Sequence, residues 1–277
     1  MAKMQEHTHI GISGWNYEPW RGTFYPEDLA QKNELHFASR ALNTIEINGT
    51  FYSLQKPKSF KYWYEETPDD FIFSVKAHRY ITHIKLLKNA EEGVANFFRS
   101  GILELKEKLG PILWQLPPRM KFDSEKLEKF LKFLPGDFSE AVKLAKSTKY
   151  RHWRKGADVS LKIDKNRPLH HAMEVRNDSF KDKKFIALLK KYNVALVVAD
   201  ADGTWPYFEE QTSDFMYCRL HGKDKLYSGG YDQKAILKWA KKLLAWRKKR
   251  DVFVYFDNTD KVKAPVNART LSRLLNI

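Results

Sequence analysis

Short apolar runs of strand length recur along the whole chain. Eight of them are followed by turns and mostly by segments with helical spacing; they lie at residues 9–14, 44–48, 71–76, 111–116, 172–176, 195–200, 215–220 and 252–257. Several runs are almost continuously apolar, which is typical of parallel strands that are covered on both faces. The pattern therefore predicts eight parallel strands.

Helical patterns fill most of the connections between these strands. They lie at residues 28–42, 59–66, 90–109, 124–133, 183–191, 233–250 and 268–275, whereas residues 203–211 show no clear helix. Eight alternating units predict a (β/α)8 TIM barrel, formed as a single domain by residues 1–277. A doubly wound open sheet is the competing fold, but fewer strands are expected for it. The basic, irregular stretch at 135–169 is interpreted as an insertion between units four and five.

Polar residues gather near the C-terminal ends of the predicted strands. Side chains alternate along a strand, so residues i and i+2 share a face, and we expect the polar face to point into the barrel. Barrel enzymes build their sites at this end. The polar residues found there are Glu46, Asn48, Lys76, Gln115, Glu174, Arg176, Asp200, Arg219, His221 and Asn258. They predict a polar pocket of mixed charge.

A self-contained cluster of ion pairs is the alternative to a ligand site. Burying an unpaired ion costs several kcal/mol, so buried charges must pair with each other, with water or with a ligand. The acids available for such a cluster are Glu46, Glu174 and Asp200, and the bases are Lys76, Arg176 and Arg219. Pairing alone would not require all of them at one end of the barrel, and this favours a ligand site.

Composition narrows the class of protein. The chain has 277 residues, of which 43% are hydrophobic and 14% aromatic, as expected for a globular protein. Its formal net charge of +15 suits nucleic acid or acidic ligands, although a lysine-rich solvated surface is the simpler explanation. The insertion contains a basic run at 150–155, in which Trp153 lies among Arg151, Arg154 and Lys155.

Several classes of function lack their sequence signals. No GxGxxG or GxxxxGK[ST] motif is present, so no nucleotide cofactor is indicated. The single cysteine, Cys218, lies in an apolar run and is interpreted as a buried structural thiol, which fits a cytoplasmic location. Residues 1–9 hold no apolar signal core, and no apolar run approaches the roughly 20 residues that span a bilayer.

Longer motifs surround the same strand ends. They include GISGWNY at 11–17, NTIEINGTFY at 43–52, FSVKA at 73–77, GPILWQLPP at 110–118, YCRLHG at 217–222 and YFDN at 255–258. In these motifs the chain resembles the YecE-like family, domain of unknown function 72. The resemblance implies a TIM barrel and no established activity. Phe180 stands where many relatives have Trp, Gly49 stands where Ser is common, and the insertion is longer than in short members.

The leading hypothesis is an enzyme or binder that acts on an anionic, phosphorylated or carboxylated small molecule. Arginine and lysine would hold the anion, Glu46 or Glu174 would be the general base, and His221 or His83 would be the acid. The catalytic candidates are Glu46, Glu174, Asp200 and His221. The substrate-binding candidates are Trp15, Asn48, Tyr52, Lys76, His83, Gln115, Arg176, Arg219 and Asn258.

Three alternatives remain open. The basic run at 150–155 suggests nucleic-acid binding or processing, with Trp153 stacking on a base. A divalent metal held by acids and histidines of the pocket is a second alternative, although no HxxxH, HExxH or cysteine-pair spacing supports it. A non-catalytic sensor that only binds the ligand is the third. The sequence predicts neither the reaction nor an oligomeric state.

Overall fold

Eight parallel strands close into a barrel within the part of the chain that the computed structural model describes, residues 8–147, 159–222, 229–257 and 262–277. In chain order they are β1 (Thr8–Ser13), β2 (Thr44–Ile47), β3 (Ile72–Lys76), β4 (Leu109–Gln115), β5 (His171–Glu174), β6 (Val194–Asp200), β7 (Phe215–Leu220) and β8 (Asp251–Phe256). Each strand pairs with the next, and β8 pairs with β1. The predicted (β/α)8 barrel is confirmed.

Helices surround this barrel. They are α1 (Glu34–Ala41), α2 (Gly49–Tyr52), α3 (Pro57–Glu66), α4 (Glu91–Arg99), α5 (Ser124–Phe133), α6 (Phe138–Lys146), α7 (Lys183–Lys191), α8 (Gln233–Trp246) and α9 (Lys263–Leu275). Four of them begin after an aspartate whose carboxylate accepts a backbone N–H of the first turn: Asp123, Asp137, Asp182 and Asp232. Such caps satisfy N–H groups that a helix start leaves unpaired.

Two helical segments differ from the predicted ones. The predicted helix at 90–109 is split, because Gly101 adopts φ 102° after α4, and a 3-10 segment at Ile102–Lys108 follows. Glycine adopts this left-handed conformation without strain and so ends the helix. The last helix begins at Lys263, before the predicted start, since Pro265 lies in its first turn, where proline removes no helical hydrogen bond.

The connections around the insertion and after β6 complete the architecture. Residues 203–211, all of them described, contain no helix, as expected. Within 135–169 the structure shows α6, which packs against α4. The basic run at 150–155 lies outside the described residues.

The inward-facing side chains become more polar toward the mouth of the barrel. Along β7 the inward-facing residues are Phe215, Tyr217 and Arg219, so an apolar ring is followed by a phenol and then by a charged group. The same order occurs along β8 and just after it, in Phe253, Tyr255 and Asp257. The opposite face of the strands packs under the helices, with Ile10, Ile12 and Ile45 fully buried there. The charged layer therefore sits at the C-terminal ends of the strands.

Candidate functional site

Arg219 is the centre of a buried charged cluster. Its Nε and Nη2 donate to the two carboxylate oxygens of Glu46 at 3.0 and 2.9 Å. Its Nη1 donates to Glu174 Oε2 at 2.6 Å, and Nη2 also donates to Asp257 Oδ2 at 2.9 Å. Burial lowers the pKa of Arg219, but the carboxylates outweigh burial and hold it well above its ordinary value. We call Arg219 and these three carboxylates the Arg219 cluster.

Glu46 has its remaining hydrogen bonds from neighbouring strands. The register of β1 on β2 places Ser13 beside Glu46, and Ser13 Oγ donates to Oε1 at 2.8 Å. Tyr217 donates its hydroxyl proton to Glu46 Oε2 at 2.6 Å. Burial, followed by Glu46, raises the pKa of Tyr217 well above its ordinary value, so the phenol keeps that proton. Both oxygens of Glu46 are thus satisfied inside the protein.

Glu174 is held between two arginines. Arg176 Nε donates to Glu174 Oε1 at 2.6 Å, and the guanidinium of Arg176 lies 3.6 Å from the ring centroid of Trp205. Burial raises the pKa of Glu174, but Arg176 and Arg219 outweigh it and hold that pKa well below the usual range. Cation–π stacking on Trp205 fixes the plane of Arg176.

His221 joins the cluster through Asp257. Its Nδ1 lies 3.0 Å from Asp257 Oδ2, its Nε2 lies 3.8 Å from Glu174 Oε1, and its ring meets the edge of Trp205. Burial lowers the pKa of His221 and outweighs the acids around it. A neutral imidazole at neutral pH, with Nδ1 donating to Asp257, is the arrangement that follows.

A cavity of about 570 Å³ opens above the Arg219 cluster; we call it the mouth cavity. Its lining carries four cations and one carboxylate, which are Lys76, Arg79, Arg119, Arg176 and Asp257. Lys76 Nζ lies 4.4 Å from the ring centroid of Phe51. Among the described residues, no carboxylate forms an ion pair with it. Burial, with a further contribution from Arg219, lowers the pKa of Lys76 to about 8.

His83 lies on the wall of the mouth cavity in a π-helical turn, Tyr80–Ile84. Its Nδ1 contacts Thr82 Oγ1 at 2.9 Å, and its carbonyl accepts a hydrogen bond from Arg119 Nη2. Burial, together with the cations led by Lys76, lowers the pKa of His83 to about 4. The ring is therefore uncharged at neutral pH and adds no positive charge to the cavity.

The structure brings most of the predicted site residues together, at two depths. Those that line the mouth cavity are Asn48, Tyr52, Lys76, His83, Gln115 and Arg176. Those that lie beneath it with no exposed surface are Glu46, Glu174, Arg219 and His221. The expectation that Arg219 contacts the ligand is corrected, because its donors face carboxylates. Likewise, the buried Glu46 and Glu174 do not reach the cavity as the predicted general base would.

Two predicted residues lie elsewhere, and a third is not described. The expectation that Asp200 faces the pocket is corrected: its carboxylate accepts a hydrogen bond from Trp239 of α8 at 3.1 Å, outside the barrel. The inward face of β6 is apolar instead, because Asp200 has the opposite parity to Ala199. Trp15 lines a smaller cavity beside the mouth cavity. Asn258 lies outside the described residues.

Four residues of the site are absent from the sequence prediction. The alternation of side chains along a strand predicts an inward position for Asp257, since it continues the series Phe253 and Tyr255 on the inward face of β8. Arg79 and Arg119 lie in the loops after β3 and β4, and Trp205 lies in the loop after β6. Loop residues carry no periodic signal, so the sequence alone does not place them.

The described residues include neither a candidate metal cluster nor a membrane-spanning helix. Over the described ranges, no group of three or more His, Cys, Asp or Glu side chains is arranged to hold a metal ion. The guanidinium of Arg219 lies between Glu46 and Glu174. No helix in this part of the chain combines the length and apolar character needed to cross a bilayer. Cys218 is buried, and burial raises the pKa of its thiol.

A closed parallel barrel with polar side chains converging at the carboxyl ends of its strands is a TIM barrel with a candidate site in the usual position. The family described as "Protein of unknown function DUF72" matches residues 9–277. The chain belongs to this family, which confirms the resemblance seen in the sequence motifs.

Similar proteins span nearly the whole chain. UPF0759 protein YecE of Escherichia coli (strain K12) is 26% identical over 278 residues, covering 95% of this chain and 90% of the relative. UPF0759 protein YunF of Bacillus subtilis (strain 168) is 23% identical, with 97% and 95% covered. A solved DUF72 family protein from Thermotoga maritima MSB8 has a TM-score of 0.77 at 22% identity, covering 98% and 99% of the two chains. At this identity the structure supports the fold alone.

Proposed function

We propose that this protein is an enzyme that binds an anionic small molecule, bearing a phosphate or carboxylate group, in the mouth cavity. The observation that carries this proposal is the division of charge into two tiers. In the lower tier, three carboxylates are bonded to Arg219. The upper tier lines the mouth cavity: its one carboxylate, Asp257, is shared with the lower tier, and its cations are Lys76, Arg79, Arg119 and Arg176, of which Arg176 also pairs with Glu174. Over both tiers, five cations are present with three carboxylates, and the surplus of two positive charges favours an anion.

The cations of the upper tier are partly held in place before a ligand arrives. Arg176 is stacked on Trp205, and Arg119 is tied to the backbone carbonyl of His83. Guanidinium groups held in place can form bidentate hydrogen bonds with carboxylate or phosphate, and they lose less conformational freedom on binding than free side chains do. Lys76, whose ammonium is destabilised by burial, gains a counter-charge when an anion binds.

Lys76 is also the group best suited to proton transfer in the mouth cavity. Its pKa of about 8 lies near neutrality, where a general acid or base is most effective. Asp257 is less suited, because Arg219, followed by His221, outweighs the effect of burial and keeps its pKa below the usual range. We therefore assign the acid–base role to Lys76, with Asp257 orienting the ligand from below and His221 positioning Asp257.

The test is calorimetric titration of the purified protein with inorganic phosphate, citrate and glucose 6-phosphate at low salt. An Arg119→Gln variant should lose about tenfold to a hundredfold in affinity, the range expected when a charged hydrogen bond of 1.5–3 kcal/mol is removed. Arg273→Gln is the matched control, since Arg273 is exposed on α9 away from the mouth. Equal affinities in both variants, or no binding of any anion, would reject the proposal.

The same titration separates this function from nucleic-acid binding. A short single-stranded oligonucleotide is added to the panel at low and high salt. Binding of the oligonucleotide alone, with a steep loss of affinity as salt rises, would identify the basic surface as the functional feature. The mouth cavity predicts instead that small anions compete with one another and that Arg119→Gln weakens them all.

A further inference from the structure

A second, smaller cavity of about 280 Å³ opens beside the mouth cavity; we call it the side cavity. The two cavities share three lining residues, Tyr17, Asn48 and Tyr52. The side cavity lies at the ends of β1 and β2, where Gly14 and Ile47 contribute to its wall. A ligand that enters the mouth cavity thus has a neighbouring space on the same face of the barrel.

The side cavity contains an aromatic corner. The rings of Trp15 and Trp63 lie 5.4 Å apart with their planes at 83°. A flat ring stacked on one indole would meet the other edge-on, and both arrangements are favourable for aromatic rings. The corner is anchored from behind, because Trp63 packs on the buried Phe60 and the carbonyl of Trp15 accepts a hydrogen bond from Tyr25. The surface is therefore formed before any ligand binds.

The polar side chains of the side cavity are neutral amides and phenols. Among the described residues, Asn16, Asn48 and Gln55 line it and no charged side chain does. Asn48 Oδ1 is shielded from water and has no hydrogen-bond partner in the described part of the chain. Amides offer both donors and acceptors, so they match the edge of a nitrogen heterocycle better than a hydrocarbon ring. The absence of charge makes this side the better place for the neutral half of a ligand.

We propose that the two cavities form one bipartite site, which takes a planar nitrogen heterocycle covalently joined to an anionic group. Nucleoside monophosphates belong to this class, with the base in the aromatic corner and the phosphate among the cations. The inference rests on the proposed function for its anionic half. The heterocyclic half rests independently on the Trp15–Trp63 corner and the amides beside it.

The test compares complete nucleotides with ligands that lack either the base or the phosphate group. Adenosine and uridine 5′-monophosphates, their nucleosides, ribose 5-phosphate and inorganic phosphate are titrated into the full-length protein. At least one nucleotide should bind about 5- to 150-fold more tightly than ribose 5-phosphate, the range for one base stacked on an aromatic side chain. Trp15→Leu should abolish that advantage and leave the affinity for ribose 5-phosphate unchanged.

The control variant is Trp246→Leu, which alters an edge-on tryptophan pair of similar kind on α8, away from the mouth. Equal binding of nucleotides and ribose 5-phosphate would overturn the bipartite site and leave the anion site standing. The proposed function would be overturned instead if nucleosides bind as tightly as nucleotides and Arg119→Gln changes neither affinity. If Trp15→Leu does not fold, the tryptophan fluorescence of the natural protein is measured instead. A nucleotide should quench this fluorescence and ribose 5-phosphate should not. Equal quenching by the two ligands would reject the inference.

Discussion

Lys76 gives the sharpest link between the site and the stability of the fold. Burial, followed by Arg219, lowers its pKa from 10.5 to about 8. At 1.36 kcal/mol per pKa unit, the protonated ammonium destabilises the folded state by at most about 3 kcal/mol at neutral pH. A Lys76→Met substitution removes the charge and keeps an unbranched apolar chain against Phe51. We expect the variant to have a higher free energy of unfolding than the natural sequence.

The direction of the Lys76 pKa shift determines how the gain in the free energy of unfolding depends on pH. The folded state binds the Lys76 proton less strongly than the unfolded chain does, because the folded-state pKa is the lower one. The penalty therefore develops as pH falls from 10.5 to about 8 and is complete below pH 8. The difference between Lys76→Met and the natural sequence should be largest near neutrality and should vanish above the unfolded-state pKa.

Urea denaturation followed by tryptophan fluorescence measures the difference at neutral and alkaline pH. Lys58→Met is the matched control, since Lys58 lies exposed on α3. The reasoning is refuted if Lys76→Met is no more stable than the control at neutral pH, or if its gain persists unchanged at high pH. The same variant should bind phosphate more weakly, so stability would rise as function falls, a common exchange at active sites.

Three further predictions concern the buried and rim groups. Arg219→Met should cost about 3–5 kcal/mol in urea denaturation, because the three carboxylates lose their shared cation; a loss below about 1 kcal/mol would contradict the cluster. Tyr217→Phe should cost about 1–3 kcal/mol with an unchanged denaturant slope, since Glu46 loses a buried donor; no loss would show that this hydrogen bond is dispensable. His83 should titrate near pH 4 in an NMR titration, and saturating phosphate should raise that midpoint; a midpoint near 6.5 without ligand would refute the effect of burial.

The barrel was predictable because its physics is local and repeated. Each strand is covered on both faces, so it appears in the sequence as an apolar run, and eight runs with intervening helical patterns leave few folds to choose from. Boundaries were less predictable where single residues decide them. Gly101 ends α4 by adopting a left-handed conformation, and the helical pattern that continues past it does not show this.

The charged cluster is predictable from the sequence only where the alternation of side chains is followed strictly along every strand. Period-two alternation correctly turns Glu46, Glu174 and Arg219 inward. Applied to β6 it would have turned Asp200 outward, and applied to β8 it would have selected Asp257. The rim could not be found in this way. Its residues come from loops, whose positions depend on contacts made only in the folded chain.

The two tiers also bear on the choice between an ion-pair cluster and a ligand site. A self-contained cluster describes the lower tier, where both oxygens of Glu46 and of Glu174 accept hydrogen bonds from side chains. It does not account for every cation, because the five cations of the two tiers outnumber their three carboxylates by two. The buried ion pairs thus form the floor of the mouth cavity, and the surplus of positive charge at the rim is the basis of the proposed anion site.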